Sequence, residues 1–201
     1  AGSDYMFILG PWDPTAEICD NGIDDDGDRR VDCRDPQCTG QIVCRPEKRR
    51  RLDVFVMSEC PYGIQVLNAM EEVLDNFGRD RSKINFRVQF VGRVEPGNRL
   101  VSMHGESEVN ENLREICAQH LYSKNYQFMD YIWCRNKNIR DSNWEQCVSA
   151  PMKVSAIRQC SEGPLGQKLL KQSFELANDL GYTGSPSWLL NNKLPMRGRN
   201  P

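Results

Sequence analysis

The stretch Val56 to Gln65, VMSECPYGIQ, places a cysteine where an apolar run ends and a helical pattern begins. Leu52 to Met57 (LDVFVM) reads as a buried strand by its β-branched and aromatic content, and Cys60-Pro61-Tyr62-Gly63 follows it. A thiol at the start of a helix gains from the helix N-terminus, which favours the thiolate, the form that attacks disulfides. Loops of this shape usually carry a second cysteine where this chain has Gly63. A lone thiolate can still form a mixed disulfide, which a second thiol from elsewhere must resolve. Tyr62 and Pro61 sit in the loop, where they either meet a substrate or pack. Glu59 opposes negative charge on the neighbouring sulfur if buried and does little if exposed.

A second constellation is acidic. NGIDDDGDRRVDCRD places Asp24, Asp26, Asp28, Asp32 and Asp35 at positions 1, 3, 5, 9 and 12 of a twelve-residue loop. Arg30 stands at position 7, where a backbone carbonyl would face the ion, and Val31 at position 8 would anchor the loop. This is the ligand spacing of an EF-type Ca2+ loop, in which alternate carboxylates converge on a hard cation. Two positions depart from it: position 6, usually glycine, is Arg29, and position 12 is Asp instead of the longer Glu. Cysteines flank the loop in place of helices.

The elements that position these groups follow from pattern. Ile64, Leu67, Met70, Val73, Leu74 and Phe77 recur at three- and four-residue intervals, predicting a helix from Cys60 to Phe77 with Pro61 in its first turn. Ile84, Phe86, Val88 and Phe90 alternate strictly, predicting a half-buried strand. Strand, helix and strand in this order imply a parallel pair with a right-handed crossover. Glu106 to Cys160 reads as helical. Gln167 to Gly184 reads as a further helix that Gly181 ends, and SPSWLLNN supplies another strand. The tail KLPMRGRNP offers a strand but no closing helix. Either something else covers that sheet edge or the chain is a piece of a longer one.

The chain has 201 residues, a net charge of −2 and nine cysteines. That charge excludes a broad basic field for nucleic acid, and no apolar run approaches the ~20 residues of a membrane span. The early segment YMFILGPW is too short; it reads as the end of a removed signal, a docking strand or a terminal strand. No pair of CxxC knuckles supports a zinc reading. Disulfides in an exported protein (periplasmic, cell-surface or secreted) are the better account. Cys19, Cys33, Cys38 and Cys44 form one cluster, and Cys117, Cys134, Cys147 and Cys160 another. Parity then leaves Cys60 unpaired. Each cluster allows three pairings. In the second, Cys134–Cys147 is favoured as the shorter loop, with Cys117–Cys160 bracketing it. Up to Cys44 there are ten Asp/Glu against three Arg, and afterwards eighteen against twenty-three Lys/Arg. Arg45 to Arg51 (RPEKRRR) reads as a solvated linker, dividing residues 1–50 from 51–201.

The segment SMHGESEVNENLREIC, Ser102 to Cys117, resembles the signature of the gamma-interferon-inducible lysosomal thiol reductase family. His104, Gly105, Glu108, Asn112 and Cys117 match it in register, while Ser102 and Val109 replace two cysteines that would pair in the family. IRQCSEGPLGQKLL and SPSWLLNN resemble its later half, so that the likeness covers roughly residues 52 to 194. The resemblance implies an α/β thioredoxin-like fold with an inserted helical subdomain at about 102–165, and thiol–disulfide chemistry on protein thiols or a small-molecule thiol. Cys60 would attack, with Ser185 and a cis Pro186 shaping the substrate groove. The stretch EICDNGIDDDGDRRVDCRDPQC is similar to an Asp-rich, cysteine-flanked metal-binding motif of secreted bacterial proteins, implying a small disulfide-stapled calcium module. Two functions compete: monothiol reductase or isomerase-like exchange through Cys60, and a non-catalytic accessory subunit of a larger assembly. His104 reads as capping or structural, His120 as a surface or packing residue, and Trp133, Trp144 and Trp188 as core.

Overall fold

The computed structural model describes residues 16–77 and 83–198. The YMFILGPW segment lies outside the described residues. The chain divides into two compact units, Ala1–Pro46 and Glu47–Pro201.

In the first unit the described residues form turns and three single-turn 3-10 helices, Asp32–Arg34, Pro36–Cys38 and Ile42–Cys44. Among the described residues of this unit too few apolar side chains are buried to make a core, and two overlapping disulfides, Cys19–Cys38 and Cys33–Cys44, hold the turns together.

The second unit carries a four-stranded sheet in the order β2-β1-β5-β6. β1 (Arg51–Val56) runs parallel to β2 (Asn85–Phe90) and antiparallel to β5 (Ser187–Leu190), which pairs antiparallel with β6 (Leu194–Arg197). With neighbours on both edges, β1 is buried on both faces through Val54, Phe55 and Val56, which is why its sequence is a continuous apolar run. Arg51, read as linker, instead opens β1. It is buried and bonds Asp53 through Nε (2.6 Å) and Nη2 (2.8 Å), because a carboxylate inside the sheet needs a fixed cation.

Helix α1 (Pro61–Asn76) connects β1 to β2. Its inward residues are Gly63, Val66, Leu67, Met70 and Leu74, while Val73 and Phe77 are exposed, so the apolar face is rotated from the one predicted. Glycine carries no hydrophobic signal, and Gly63 marks the tightest part of that face. A hairpin of β3 (Arg93–Glu95) and β4 (Arg99–Val101) leads into α2 (Glu106–Leu121), α3 (Phe128–Lys137) and α4 (Val154–Ser161). α5 (Pro164–Asp179) then returns the chain to the sheet and packs on β2. Gly181, at φ +64°, ends it: its N–H reaches Asn178 O and that of Tyr182 reaches Ala177 O.

Disulfide Cys117–Cys160 ties α2 to α4, and Cys134–Cys147 ties α3 to the turn beyond it. Among the described residues β2 is an outer strand, yet the helices cap its free edge. Gln119 accepts from Val88 N–H at 2.7 Å and donates to Val88 O at 2.9 Å. Tyr126 Oη accepts from Phe86 N–H and donates to Ile84 O, and Ser173 Oγ accepts from Phe90 N–H at 2.7 Å. No described helix is long and apolar enough to cross a membrane.

Candidate functional site

β1 delivers the chain to a four-residue loop, Met57 to Cys60, whose backbone N–H groups all have named acceptors. Met57 N–H donates to Ser185 Oγ (3.1 Å), Ser58 N–H to Asn112 Oδ1 (3.4 Å), Glu59 N–H to Glu108 Oε1 (2.9 Å) and Cys60 N–H to Met57 O (3.0 Å). Cys60 is the N-cap of α1, with Pro61 at the first helical position, where a missing N–H costs nothing. It is the free cysteine and is half-buried.

Cys60 Sγ faces Ser185 O at 3.8 Å. The Ser185–Pro186 peptide is cis, as is Ala150–Pro151. Pro186 is buried, Ser185 half-buried, and Pro61 and Tyr62 are exposed beside the thiol. The expected catalytic set, Cys60, Ser185 and Pro186, is thus brought together at the end of the sheet.

Gly63 explains how the loop dispenses with a second thiol. A Cβ at this position would lie 2.7 Å from Ser185 Oγ, 3.0 Å from Met57 O and 3.2 Å from Val56 Cβ. Those are closer than ordinary van der Waals contact. The Ser185 hydroxyl, already bonded to Met57 N–H, is the first atom a side chain there would meet.

The signature segment braces this loop. Glu108 is 0% exposed and receives Glu59 N–H, His104 N–H (3.2 Å) and the Ser102 hydroxyl (2.5 Å), and its Oε1 lies 2.9 Å from His104 Nδ1. Glu59 is itself only 8% exposed, its carboxylate 3.6 Å from Arg140 Nε. One turn on, Glu111 is bonded by Arg114, Arg135 and the Tyr131 hydroxyl. Burial first, and then the Glu111 charge, push the Tyr131 hydroxyl well above its usual value. Glu115 has both carboxylate oxygens buried without a partner. Burial, reinforced by Glu111, holds its pKa well above the ordinary carboxylate range. Sequence reasoning gave Glu108, Glu111 and Glu115 no role, since charged residues spaced along a helix read as its solvent face. The only signal was the register of His104, Glu108 and Asn112.

Trp188 lies in the core, whereas Trp133 and Trp144 are partly buried against it. The Arg114 and Arg158 guanidinia both lie over the Trp144 ring, 5.6 and 5.8 Å from its centroid. His120 is exposed.

In the first unit the acidic loop folds on its own carboxylates. Asp24 accepts from Gly27 and Arg29 N–H, Asp26 from Asp28 N–H, and Asp28 from Arg30 N–H. Arg29, the departure at position 6, adopts φ +72°, the backbone conformation for which such loops use glycine. Oxygens of Asp26, Asp28 and Asp35 lie within 4.8 Å of one another, as do those of Glu17, Asp24 and Asp26. Asp32 stands outside both groups, its Oδ1 accepting from Asn21 and Gly22 N–H. Glu17, unremarked in sequence, accepts from Asp25 and Asp32 N–H and so fastens both ends of the loop. Asp35 is 2% exposed with Oδ2 unpartnered, an orphaned acceptor that fits a hard cation.

In structure the chain is similar to three bacterial proteins. They are the thiol-disulfide exchange protein alpha-DsbA2 from Wolbachia pipientis (TM-score 0.54, 10% identity, 78% of each chain covered), Pseudomonas aeruginosa DsbA2 (0.53, 14%, 77% and 84%) and a thioredoxin-like oxidoreductase from Silicibacter pomeroyi (0.51, 18%, 76% and 80%). The fold is thioredoxin-like, with α2 to α4 as its inserted helical part. In sequence it is 24% identical over 139 residues to a gamma-interferon-responsive lysosomal thiol protein of Arabidopsis thaliana, which covers 66% of this chain and 56% of that protein. The match to gamma interferon inducible lysosomal thiol reductase (GILT) spans residues 51–151, from the start of β1 through the Cys60 loop and the bracing acids of α2. It is to this family that the chain belongs.

Proposed function

We propose that the second unit exchanges thiols and disulfides through Cys60 alone. The observation that carries this reading is the pairing of a free thiol at the N-cap of α1, 3.8 Å from Ser185 O, with a glycine at position 63, where a Cβ would crowd the Ser185 hydroxyl. The Cys60 thiolate attacks one sulfur of a substrate disulfide. The S–S bond breaks, the other sulfur leaves as a thiolate and takes up a proton, and Cys60 is held in a mixed disulfide. An external thiol then attacks Cys60 Sγ and frees the reduced substrate, and a second such thiol releases Cys60. The substrate gains two electrons and two external thiols become one disulfide. When a second thiol of the substrate instead attacks the substrate sulfur of the mixed disulfide, a new substrate S–S bond forms, Cys60 leaves as the thiolate, and the outcome is isomerisation with no net electron transfer. Protein disulfides and a small-molecule thiol are the partners this chemistry requires. The four disulfides suit an exported, oxidising setting.

The test is peptide mass spectrometry of the native, unreduced protein after brief iodoacetamide treatment. Rapid modification confined to Cys60, together with capture of a disulfide probe that Cys60→Ser abolishes, supports exchange. A Cys60 that stays unmodified, or is recovered already in a disulfide, leaves a docking module built on the fold.

For the first unit we infer a structural Ca2+ site. Asp26, Asp28 and Asp35 would hold the ion, which would neutralise their clustered charge, and the unpartnered Asp35 Oδ2 favours it. Calorimetric titration of metal-free protein with Ca2+ tests this. No heat, or heat unchanged by Asp35→Asn, removes the site.

A further inference from the structure

The donors around Glu108 specify a carboxylate. Glu59 N–H and His104 Nδ1 address Oε1 at 2.9 Å each, while Ser102 Oγ (2.5 Å) and His104 N–H (3.2 Å) address Oε2. A carboxylate only accepts, so all four lone-pair directions are used and Nδ1 carries the imidazole proton. An amide of the same shape turns an NH2 toward a backbone N–H, that of Glu59 or that of His104, whichever way it is flipped. Hydrogen bonds to an ionised group are stronger than neutral ones, and one buried at 0% exposure is shielded from competing water.

This carboxylate joins three segments: its own helix α2, the turn at Ser102 to His104, and the peptide one residue before Cys60. Of the four N–H bonds that set the loop from Met57 to Cys60, the one to Glu108 is the only one made to a charged acceptor. Exchange needs three sulfurs nearly in line, so the direction of Cys60 Sγ matters as well as its exposure.

We propose that Glu108 is a positioning residue for Cys60: through Glu59 N–H it aims the thiol toward the Ser185–Pro186 side of the loop, and Ser102 and His104 hold it there. The proposal rests on the exchange reading given above. It assigns the role to the matched glutamate of the signature, in a chain where Ser102 and Val109 replace two of the signature's cysteines.

The experiment compares two rates at Cys60 in the full-length oxidised protein and its variants. Iodoacetamide asks only for an exposed thiolate; glutathione disulfide asks for alignment as well. Glu108→Gln is expected to slow exchange with glutathione disulfide about tenfold while changing alkylation by less than about twofold, and Ser102→Ala to act in the same direction more weakly. Two rates that fall together, rise together as in a loosened loop, or stay unchanged overturn the proposal. Should Glu108→Gln not fold, hydrogen exchange at the Glu59 amide of the unaltered protein decides. Slow exchange is expected, and exchange at the rate of an open loop overturns the hydrogen bond on which the role depends. Unaltered protein inert to both reagents refutes the exchange reading instead, and the Glu59 amide still reports on Glu108 separately.

Discussion

Both units of this chain are cross-linked twice, and the cross-links do different work in each. In the first, two overlapping disulfides enclose turns with almost nothing apolar between them; Cys38 is its one fully buried hydrophobic side chain among the described residues. In the second, Cys117–Cys160 joins helices that already bury Ile116, Ile157, Leu170 and Phe174. Covalent closure substitutes for a core in one unit and reinforces an existing core in the other. Acidic residues divide the same way. In the first unit they gather around one locus that a cation would neutralise, whereas in the second Glu108 and Glu111 are answered by fixed donors and guanidinia.

The sharpest way to break this contrast is to remove one cross-link from each unit. The double change Cys19→Ser, Cys38→Ser costs about 2–5 kcal/mol, a large loss for turns held mainly by their disulfides. Residues 16–46 are expected to lose amide protection, while Cys134→Ser, Cys147→Ser leaves the sheet of the second unit protected; hydrogen exchange reads both. Next in size is the cation. With Ca2+ at a hundredfold its dissociation constant, chelation removes about 2.7 kcal/mol. It is expected to lower protection in the first unit alone, and equal losses in both would dissolve the comparison.

Glu115 gives a smaller effect with a definite sign. Its folded pKa lies above its unfolded value, so it contributes fully to stability below the unfolded carboxyl range. The unfolded chain releases this proton first, and stability then falls by about 1.4 kcal/mol per pH unit as pH rises toward the folded value. Glu115→Gln is expected to flatten that slope in denaturant melts of the second unit taken across pH. An unchanged slope refutes it. The smallest effect concerns position 63. Gly63→Cys is expected to form an intramolecular disulfide with Cys60 several-fold less readily than Gly63→Cys, Ser185→Ala, since removing the hydroxyl frees the nearest clash. Equal yields by mass spectrometry would show that Ser185 turns aside without cost.

What could be read from the sequence follows the same division between apolar pattern and polar burial. The strands Arg51–Val56 and Asn85–Phe90 and the helix after Cys60 were legible because a sheet centre demands apolar runs and a helix on its face demands a stripe. Parity and the loop both pointed to Cys60. The face of α1 was misjudged because its closest contact is made by Gly63, which no hydropathy pattern marks. Arg51 was misread as linker because an arginine that is buried against Asp53 looks the same in sequence as one in solvent. Glu108 and Glu111 were hidden for that reason too: their partners lie up to 49 residues away, at Glu59 and Arg135, and only folding brings them together. In the acidic loop, spacing treats Asp24, Asp26, Asp28, Asp32 and Asp35 alike, whereas the fold gathers oxygens of Asp24, Asp26, Asp28 and Asp35 into two overlapping clusters and turns Asp32 toward Asn21 and Gly22.

The capped edge of β2 bears on how this protein is made. Gln119 lies on α2, Tyr126 on the connection to α3 and Ser173 on α5, so the strand's outward N–H and C=O groups stay open until three later-synthesised segments have docked. A newly made chain therefore displays an adhesive strand for as long as its helical part is loose, and a strand left open in this way pairs with others of its kind. The Cys117–Cys160 cross-link keeps α2 against its neighbour. Oxidation at that pair thus shortens the period of exposure, and the yield of soluble protein from reducing and oxidising refolding mixtures should diverge as protein concentration rises.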